Sequence, residues 1–269
     1  CGRSVSYAAP TATDNCTGML TILKVDGTGL MSGDFFPVGT TLQKFETTDE
    51  CGNTSTCMFN VVVIDNELPI ITGCPTNIVK STDPGLCTAL VTWVAPTASD
   101  NCPGVSLSLS PNLPPGSIFP KGTTNMTYTA TDVSGNIAVC NFSVTVNDNE
   151  LPQITCPANI VVNADAGQCS AVVTYTTPVG TDNCPSPMTT QTTGLPSGAA
   201  FPVGLTTNTF KVTDGSTNMA TCSFTVTVND NQNPVITDCP DDITVSCAAD
   251  STIANTGGPA IATDNCPGV

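Results

Sequence analysis

Two kinds of side chain in this sequence could do chemistry: fifteen cysteines and twenty-two aspartates and glutamates, set against six lysines and arginines and no histidine. Without an imidazole, serine and cysteine nucleophiles lack their commonest base, and zinc loses its usual nitrogen ligand. No two cysteines stand in a C-x-x-C pair. Paired disulfides in an oxidising, extracellular setting are the expectation, and a metal knuckle is not. Adjacent acids such as Asp241-Asp242 read as a solvated pair rather than a general acid and base. No enzyme is expected. The formal charge of −16 argues against nucleic acid and anionic membranes as partners and suits cations.

The cysteines are ordered. Cys74, Cys87, Cys102 and Cys140 recur as Cys156, Cys169, Cys184 and Cys222, each 82 positions on. A fixed period of this length marks a tandem array in which each copy is one structural unit. The expected divisions are a partial repeat over 1–65 lacking its opening strand, full repeats over 66–148 and 149–230, and a partial repeat over 231–269 lacking its closing half. Cys1, followed by Asp14-Asn15-Cys16, aligns with Cys87, followed by Asp100-Asn101-Cys102. The stretch therefore reads as a window on a longer protein, with any leader or anchor outside it. No apolar run of about eighteen residues occurs, so membrane insertion is not expected in this segment.

Thr, Val, Ser, Asn, Gly and Pro dominate, the composition of short strands joined by turns. In the third repeat, Ile154 to Val162 reads as an opening strand, and Cys169 to Tyr175 as its hairpin partner across the turn Asp165-Ala166-Gly167. Met188 to Thr193 is a weaker strand, and Gly194 to Gly204 a Pro- and Gly-punctuated connection. Leu205 to Thr213 and Met219 to Val228 alternate about a turn at Asp214 to Asn218, which predicts a hairpin. Short strands without helical periodicity predict an all-β chain of tandem Ig-like β-sandwiches. Trp93, Tyr175 and Tyr7 fall at one position of this pattern and are read as core residues rather than a sugar-stacking platform.

The run Cys74-Pro75-Thr76-Asn77-Ile78, Cys87, Asp100-Asn101-Cys102, Phe119-Pro120-Lys121-Gly122, Asp132 to Asn136 and Cys140-Asn141-Phe142 resembles the hyalin repeat (HYR) domain. All 269 residues fall within the repeating pattern. The resemblance implies an immunoglobulin-related fold and an extracellular adhesive or matrix role, in echinoderm coats or in bacterial-type surface adhesins and filaments. It implies no catalytic residue. Two departures stand out: an extra Cys51 in repeat one, and Thr217 where the hairpin turn of repeat three would have glycine.

Four cysteines per repeat allow three connectivities. In an Ig-like strand order the opening strand, the D-N-C loop and the last hairpin turn share one end of the sandwich, which favours pairing first to third. The expected bridges are Cys74 with Cys102, Cys87 with Cys140, Cys156 with Cys184, Cys169 with Cys222, Cys239 with Cys266, Cys1 with Cys57 and Cys16 with Cys51. Cys247 is left over, and Cys51 has the alternative of a free thiol or a bridge to a neighbouring chain. Each closed loop would contribute roughly 3 to 4 kcal/mol on the chain-entropy model.

The linkers Asp65-Asn66-Glu67-Leu68-Pro69, Asp148-Asn149-Glu150-Leu151-Pro152 and Asp230-Asn231-Gln232-Asn233-Pro234 resemble those of cadherins. Ca²⁺ takes six to eight oxygens. The candidate sets are Asp65, Asn66, Glu67, Asp100 and Asp132; then Asp148, Asn149, Glu150, Asp182 and Asp214; then Asp230, Asn231 and Asp264. Gln232 removes a carboxylate from the third, which should be the weakest. The alternative is Asx turns and a stiffening proline without metal. Either way the short linkers predict a stiff, elongated rod, advancing roughly 40 Å per repeat. The expected function is an adhesive or structural stalk whose partners are copies of itself, neighbouring repeats, or surface and matrix glycans and proteins. The alternatives are a filament subunit exchanging strands with its neighbours, or a passive spacer for an enzyme or carbohydrate-binding module outside this stretch.

Overall fold

The computed structural model describes residues 1–15, 18–239, 242 and 260–266. The chain gathers into two compact units, Cys1–Lys80 with Leu90–Thr145, and Ser81–Ala89 with Val146–Val269. Every regular element among the described residues is a strand. They are β1 (Gly2–Ser4), β2 (Thr21–Lys24), β3 (Phe35–Pro37), β4 (Gly39–Thr48), β5 (Thr54–Val63), β6 (Ile70–Thr72), β7 (Ile78–Ser81), β8 (Thr88–Val91), β9 (Thr97–Ser99), β10 (Ser106–Ser110), β11 (Ser117–Pro120), β12 (Gly122–Thr131) and β13 (Ile137–Asn147). They continue with β14 (Ile160–Asn163), β15 (Ser170–Val173), β16 (Met188–Thr193), β17 (Ala199–Pro202), β18 (Gly204–Thr213), β19 (Met219–Asn229), β20 (Val235–Asp238) and β21 (Ile261–Thr263).

Repeat three, in the second unit, shows how sequence becomes sandwich. One sheet runs β14-β19-β18-β16, and the other pairs β15 with β17. The β18-β19 hairpin keeps strict register from Gly204 opposite Val228 to Thr213 opposite Met219. Its alternation places Phe210, Phe224, Val226 and Val228 inward, in one core cluster with Ala171, Val173 and Phe201 of the facing pair. Period-two burial of this kind is what a half-buried strand requires.

Two expectations about strands need correcting. β14 and β15 are not a hairpin: β14 lies parallel to β19, Ile160 beside Val226, while β15 pairs antiparallel with β17 in the other sheet. The turn at Asp165 to Gln168 carries the chain between sheets, a crossing that alternation alone does not reveal. The Pro- and Gly-punctuated connection contains β17, whose Phe201 is fully buried. The F-P-x-G punctuation marks a second crossing. Phe201 anchors the core, and Gly204, at φ +110°, lets the chain turn into β18 with a backbone that side-chain-bearing residues rarely adopt. Gly39 and Gly122 repeat it, at +113° and +112°.

The first unit repeats the plan: β2-β4-β5 form a sheet with β1 paired to β3, and β10 pairs with β12. An aromatic trio recurs in each core. Tyr7 meets Phe59 edge-on at 5.0 Å with Phe59 stacked on Phe45, Trp93 meets Phe142 at 5.3 Å with Phe142 stacked on Tyr128, and Tyr175 meets Phe224 at 4.9 Å with Phe224 stacked on Phe210. Such contacts match core residues in edge-to-face geometry. One core position differs between repeats: Gln43, Met126 and Asn208 are all fully buried. Gln43 Oε1 accepts from Tyr7 Oη and Lys24 Nζ, and Asn208 Oδ1 accepts from Leu195 N, while Asn208 Nδ2 is buried without a hydrogen-bond partner.

The disulfides depart from the expected pairing. Cys74 joins Cys140 and Cys156 joins Cys222, first to fourth within a repeat. Cys1 joins Cys102, Cys87 joins Cys184 and Cys169 joins Cys266, second cysteine of one repeat to third of the next. The expected pairs Cys74 with Cys102, Cys87 with Cys140, Cys156 with Cys184, Cys169 with Cys222, Cys239 with Cys266 and Cys1 with Cys57 are therefore replaced. Strand direction explains the first class. The parallel register that sets Ile160 beside Val226, continued into the four residues before β14, brings Cys156 beside Cys222, their Cα atoms 5.6 Å apart. Among the described residues Cys51, Cys57 and Cys239 carry no bridge. Cys16, the expected partner of Cys51, and Cys247 lie outside the described residues.

Candidate functional site

The junction sites begin with the turn that precedes each second cysteine. Asp83-Pro84-Gly85-Leu86 closes with Leu86 N donating to Asp83 O at 2.9 Å, and Asp165-Ala166-Gly167-Gln168 closes likewise through Gln168 N. Both glycines sit at φ +72° in the third position, as a type II turn demands. Thr82 N donates to Asn147 O and Ala164 N to Asn229 O, each at 2.8 Å. These bonds pin the turn to the end of the last strand of its own repeat, where the linker starts. The second cysteine thus stands at the junction with the following repeat, within reach of that repeat's D-N-C loop.

At the second junction the linker and loop interlock. Glu150 Oε2 accepts from Gly85 N at 2.9 Å, and Asn183 Nδ2 donates to Leu86 O at 2.9 Å, beside the Cys87 to Cys184 bridge. Asn149 Nδ2 donates to Ser81 Oγ at 2.9 Å. The third junction repeats the arrangement: Gln232 Oε1 accepts from Gly167 N at 3.3 Å and Asn265 Nδ2 donates to Gln168 O at 2.8 Å. Gln232 thus fills the same role as Glu150, that of a strut to the preceding turn, which an amide oxygen serves as a carboxylate does. At the first junction Glu67 Oε2 accepts from Asn101 Nδ2 at 2.7 Å.

Among the described residues three acidic clusters result, each with its ligand atoms within 4.8 Å of one another: Asp65, Asp100 and Cys102; Asp148, Asp182 and Cys184; Asp230, Asp264 and Cys266. The sulfurs are committed to disulfides and stand for no thiolate. One carboxylate oxygen of each D-N-C aspartate accepts from the cysteine backbone N–H two residues on, at 2.9, 2.9 and 3.0 Å. The other is buried without a hydrogen-bond partner in Asp100 (Oδ2) and Asp182 (Oδ1), as are Asp65 Oδ2, Asn183 Oδ1 and Asn265 Oδ1. Asp65 is only 8% exposed. Buried carboxylate oxygens that nothing donates to are costly and mark a place where a cation fits.

Asp132 and Asp214, also expected among the ligands, are drawn into their own hairpin turns. Asp132 accepts from Ser134 N, Asn136 N and Asn136 Nδ2 at 2.9, 2.8 and 2.7 Å, and Asp214 from Ser216 N, Asn218 N and Asn218 Nδ2. Each turn reaches the linker instead through its asparagine, Asn136 Nδ2 to Asp65 O at 3.1 Å and Asn218 Nδ2 to Asp148 O at 3.2 Å. Burial alone would push the Asp132 carboxyl up, but the bonds from Asn136, Ser134 and Gly135 outweigh it and hold it below the usual range. Asp49, at the same position in repeat one, is lowered chiefly by Asn53. Asn66 and Asn231 stand in the linkers directly after Asp65 and Asp230. The sequence reading missed Gly85, Gly167, Asn183 and Asn265 at these sites; the D-P-G-L turn directly before a cysteine was the available signal for the first.

With this geometry in view, the comparisons are direct. The HYR domain model matches residues 1–63, 64–146 and 147–228. The chain is 32% identical over 248 residues to hyalin of Lytechinus variegatus, covering 90% of the chain and 46% of that protein. It is 36% identical over 246 residues to hyalin of Strongylocentrotus purpuratus, covering 88% of the chain and 20% of that protein. The chain thus spans less than half the length of these curated relatives. These relatives are animal proteins, and the bacterial-type origin expected from sequence has no support among them. Among solved structures, protocadherin gammaB7 domains EC3-6 align over 91% of the chain and 76% of theirs at 18% identity and a TM-score of 0.34, and mouse cadherin-23 EC22-24 over 84% and 92% at 16% and 0.34.

Proposed function

The chain belongs to the HYR domain family, and from that premise we propose that it is a structural and adhesive segment of an extracellular fibre or coat whose junctions are stiffened by calcium. The segment is extracellular, disulfide-bonded and built of tandem Ig-like β-sandwiches, and its family is not known for enzymes. The observation that carries the reading is the set of buried, unpartnered carboxylate oxygens at the junctions, Asp65 Oδ2, Asp100 Oδ2 and Asp182 Oδ1. A divalent cation would satisfy them with oxygen ligands, the donor chemistry that Ca²⁺ prefers. Interactions with other copies, or with surface and matrix glycans and proteins, belong to the same proposal.

Calcium binding only the folded junction stabilises it by RT ln(1 + [L]/Kd), about 2.7 kcal/mol at a hundredfold excess over Kd. The melting temperature of the oxidised chain should therefore rise when calcium replaces EDTA. Asp182→Asn together with Asp100→Asn should abolish most of that rise. Identical melting curves in calcium and EDTA would remove the cation from the account.

A further inference from the structure

The bridges crossing the junctions enclose overlapping stretches of chain: 1 to 102, 87 to 184 and 169 to 266. Each overlap is the segment between the second and third cysteines of one repeat, Cys87 to Cys102 and Cys169 to Cys184, whose ends lie 15 positions apart in the chain. In repeat three, Cys184 bonds at the upstream junction and Cys169 at the downstream one, so the segment runs between both ends of its sandwich. A covalent path leads from Cys1 through the sulfurs to Cys102, back along the chain to Cys87, across to Cys184, back to Cys169 and across to Cys266. The peptide chain takes 265 residues between the same two ends. The bonded path takes two segments of 15.

We propose that the cross-junction disulfides make this array a length-limited tether, in which pulling force passes through the bridges and the 15-residue segments while the rest of each sandwich is bypassed. A 15-residue segment reaches at most about 50 Å when fully extended, and each bridge adds a Cα to Cα step of 4.7 or 4.8 Å. A folded sandwich already spans roughly 40 Å on its strand length. Unfolding a repeat can therefore lengthen the array by only about 15 Å, against roughly 240 Å for an 82-residue repeat without such bridges. The within-repeat bridges, Cys74 to Cys140 and Cys156 to Cys222, do not shorten this path and secure the sandwich alone. A long unfolding stroke absorbs energy in an ordinary tandem array; here the sandwiches are protected from bearing load, which suits a coat or stalk that must hold its length. The inference rests on bridge connectivity and is independent of whether the junctions take calcium.

Single-molecule force spectroscopy on the oxidised 269-residue chain, held by handles at its two ends, tests it. Without reductant, extension should stop near the 30-residue limit, with no step above about 2 nm per repeat; added dithiothreitol should release steps of about 24 nm per repeat. The paired variant Cys87→Ser with Cys184→Ser should lengthen the taut path from 30 residues to the 67 between Cys102 and Cys169, a gain of about 12 nm. The limit is covalent, so the same lengths should be read in guanidinium, where failure of a variant to fold makes no difference. Steps of about 24 nm in the oxidised wild type, or lengths unchanged by reductant, would overturn the proposal.

Discussion

At the scale of single residues, the repeat's punctuation divides into positions that hold a backbone shape and positions that hold a neighbour. Thr217 is the clearest of the first kind: it sits at φ +73° where repeat two has Gly135 at φ +90°. A β-branched side chain in the left-handed region costs on the order of 1–2 kcal/mol. Thr217→Gly should raise the urea midpoint of this chain by the equivalent of about 1 kcal/mol, offset in part by the greater freedom of glycine when unfolded. The departure was legible in sequence; its sign needed the backbone angle. Asp132 is of the second kind. Its folded carboxyl lies below its unfolded value, so the unfolded chain binds more protons, and the stability it contributes is present above about pH 3.9 and lost as pH falls through the lower folded value. In EDTA, Asp132→Asn should flatten the acid limb of the urea midpoint below about pH 4, while a limb identical to wild type would show that the turn bonds carry no net stability.

At the scale of elements, the hairpins and the core were readable because they depend on neighbours in sequence, whereas sheet assignment was not. Leu205 to Thr213 and Met219 to Val228 alternate in the sequence, and β18 and β19 pair over that whole length. Ile160 to Val162 carries the same alternation, yet its partner is β19, 66 residues away and parallel. Nothing local encodes that choice, and the error passed directly into the bridges. Had the 66-residue offset between Ile160 and Val226 been known, Cys156 and Cys222, also 66 apart, would have paired themselves. The crossing at F-P-x-G gives an element-level prediction. A Cβ at Gly204 would meet nothing within 4 Å, so Gly204→Ala isolates the backbone term and should cost roughly 1–3 kcal/mol, read as a lower denaturation midpoint. A neutral result would mean that Val203 and its neighbours, not the glycine, set the turn into β18.

At the scale of the whole molecule, the candidate calcium sites were legible as composition but not as wiring. The linker acids and the D-N-C acids were both expected at the junction, and Asp65 with Asp100, and Asp148 with Asp182, do meet there. The turn of the preceding repeat was missed, because its role depends on the crossing between sheets that brings Gly85 and Gly167 to the linker. That turn carries the cysteine which converts a string of separately stapled beads into a continuously bonded array. Non-reducing peptide mapping of the natively oxidised chain tests this most directly. The account predicts disulfide-linked peptides that contain Cys87 with Cys184 and Cys169 with Cys266, whereas linked pairs of Cys156 with Cys184 and Cys169 with Cys222 would contradict it.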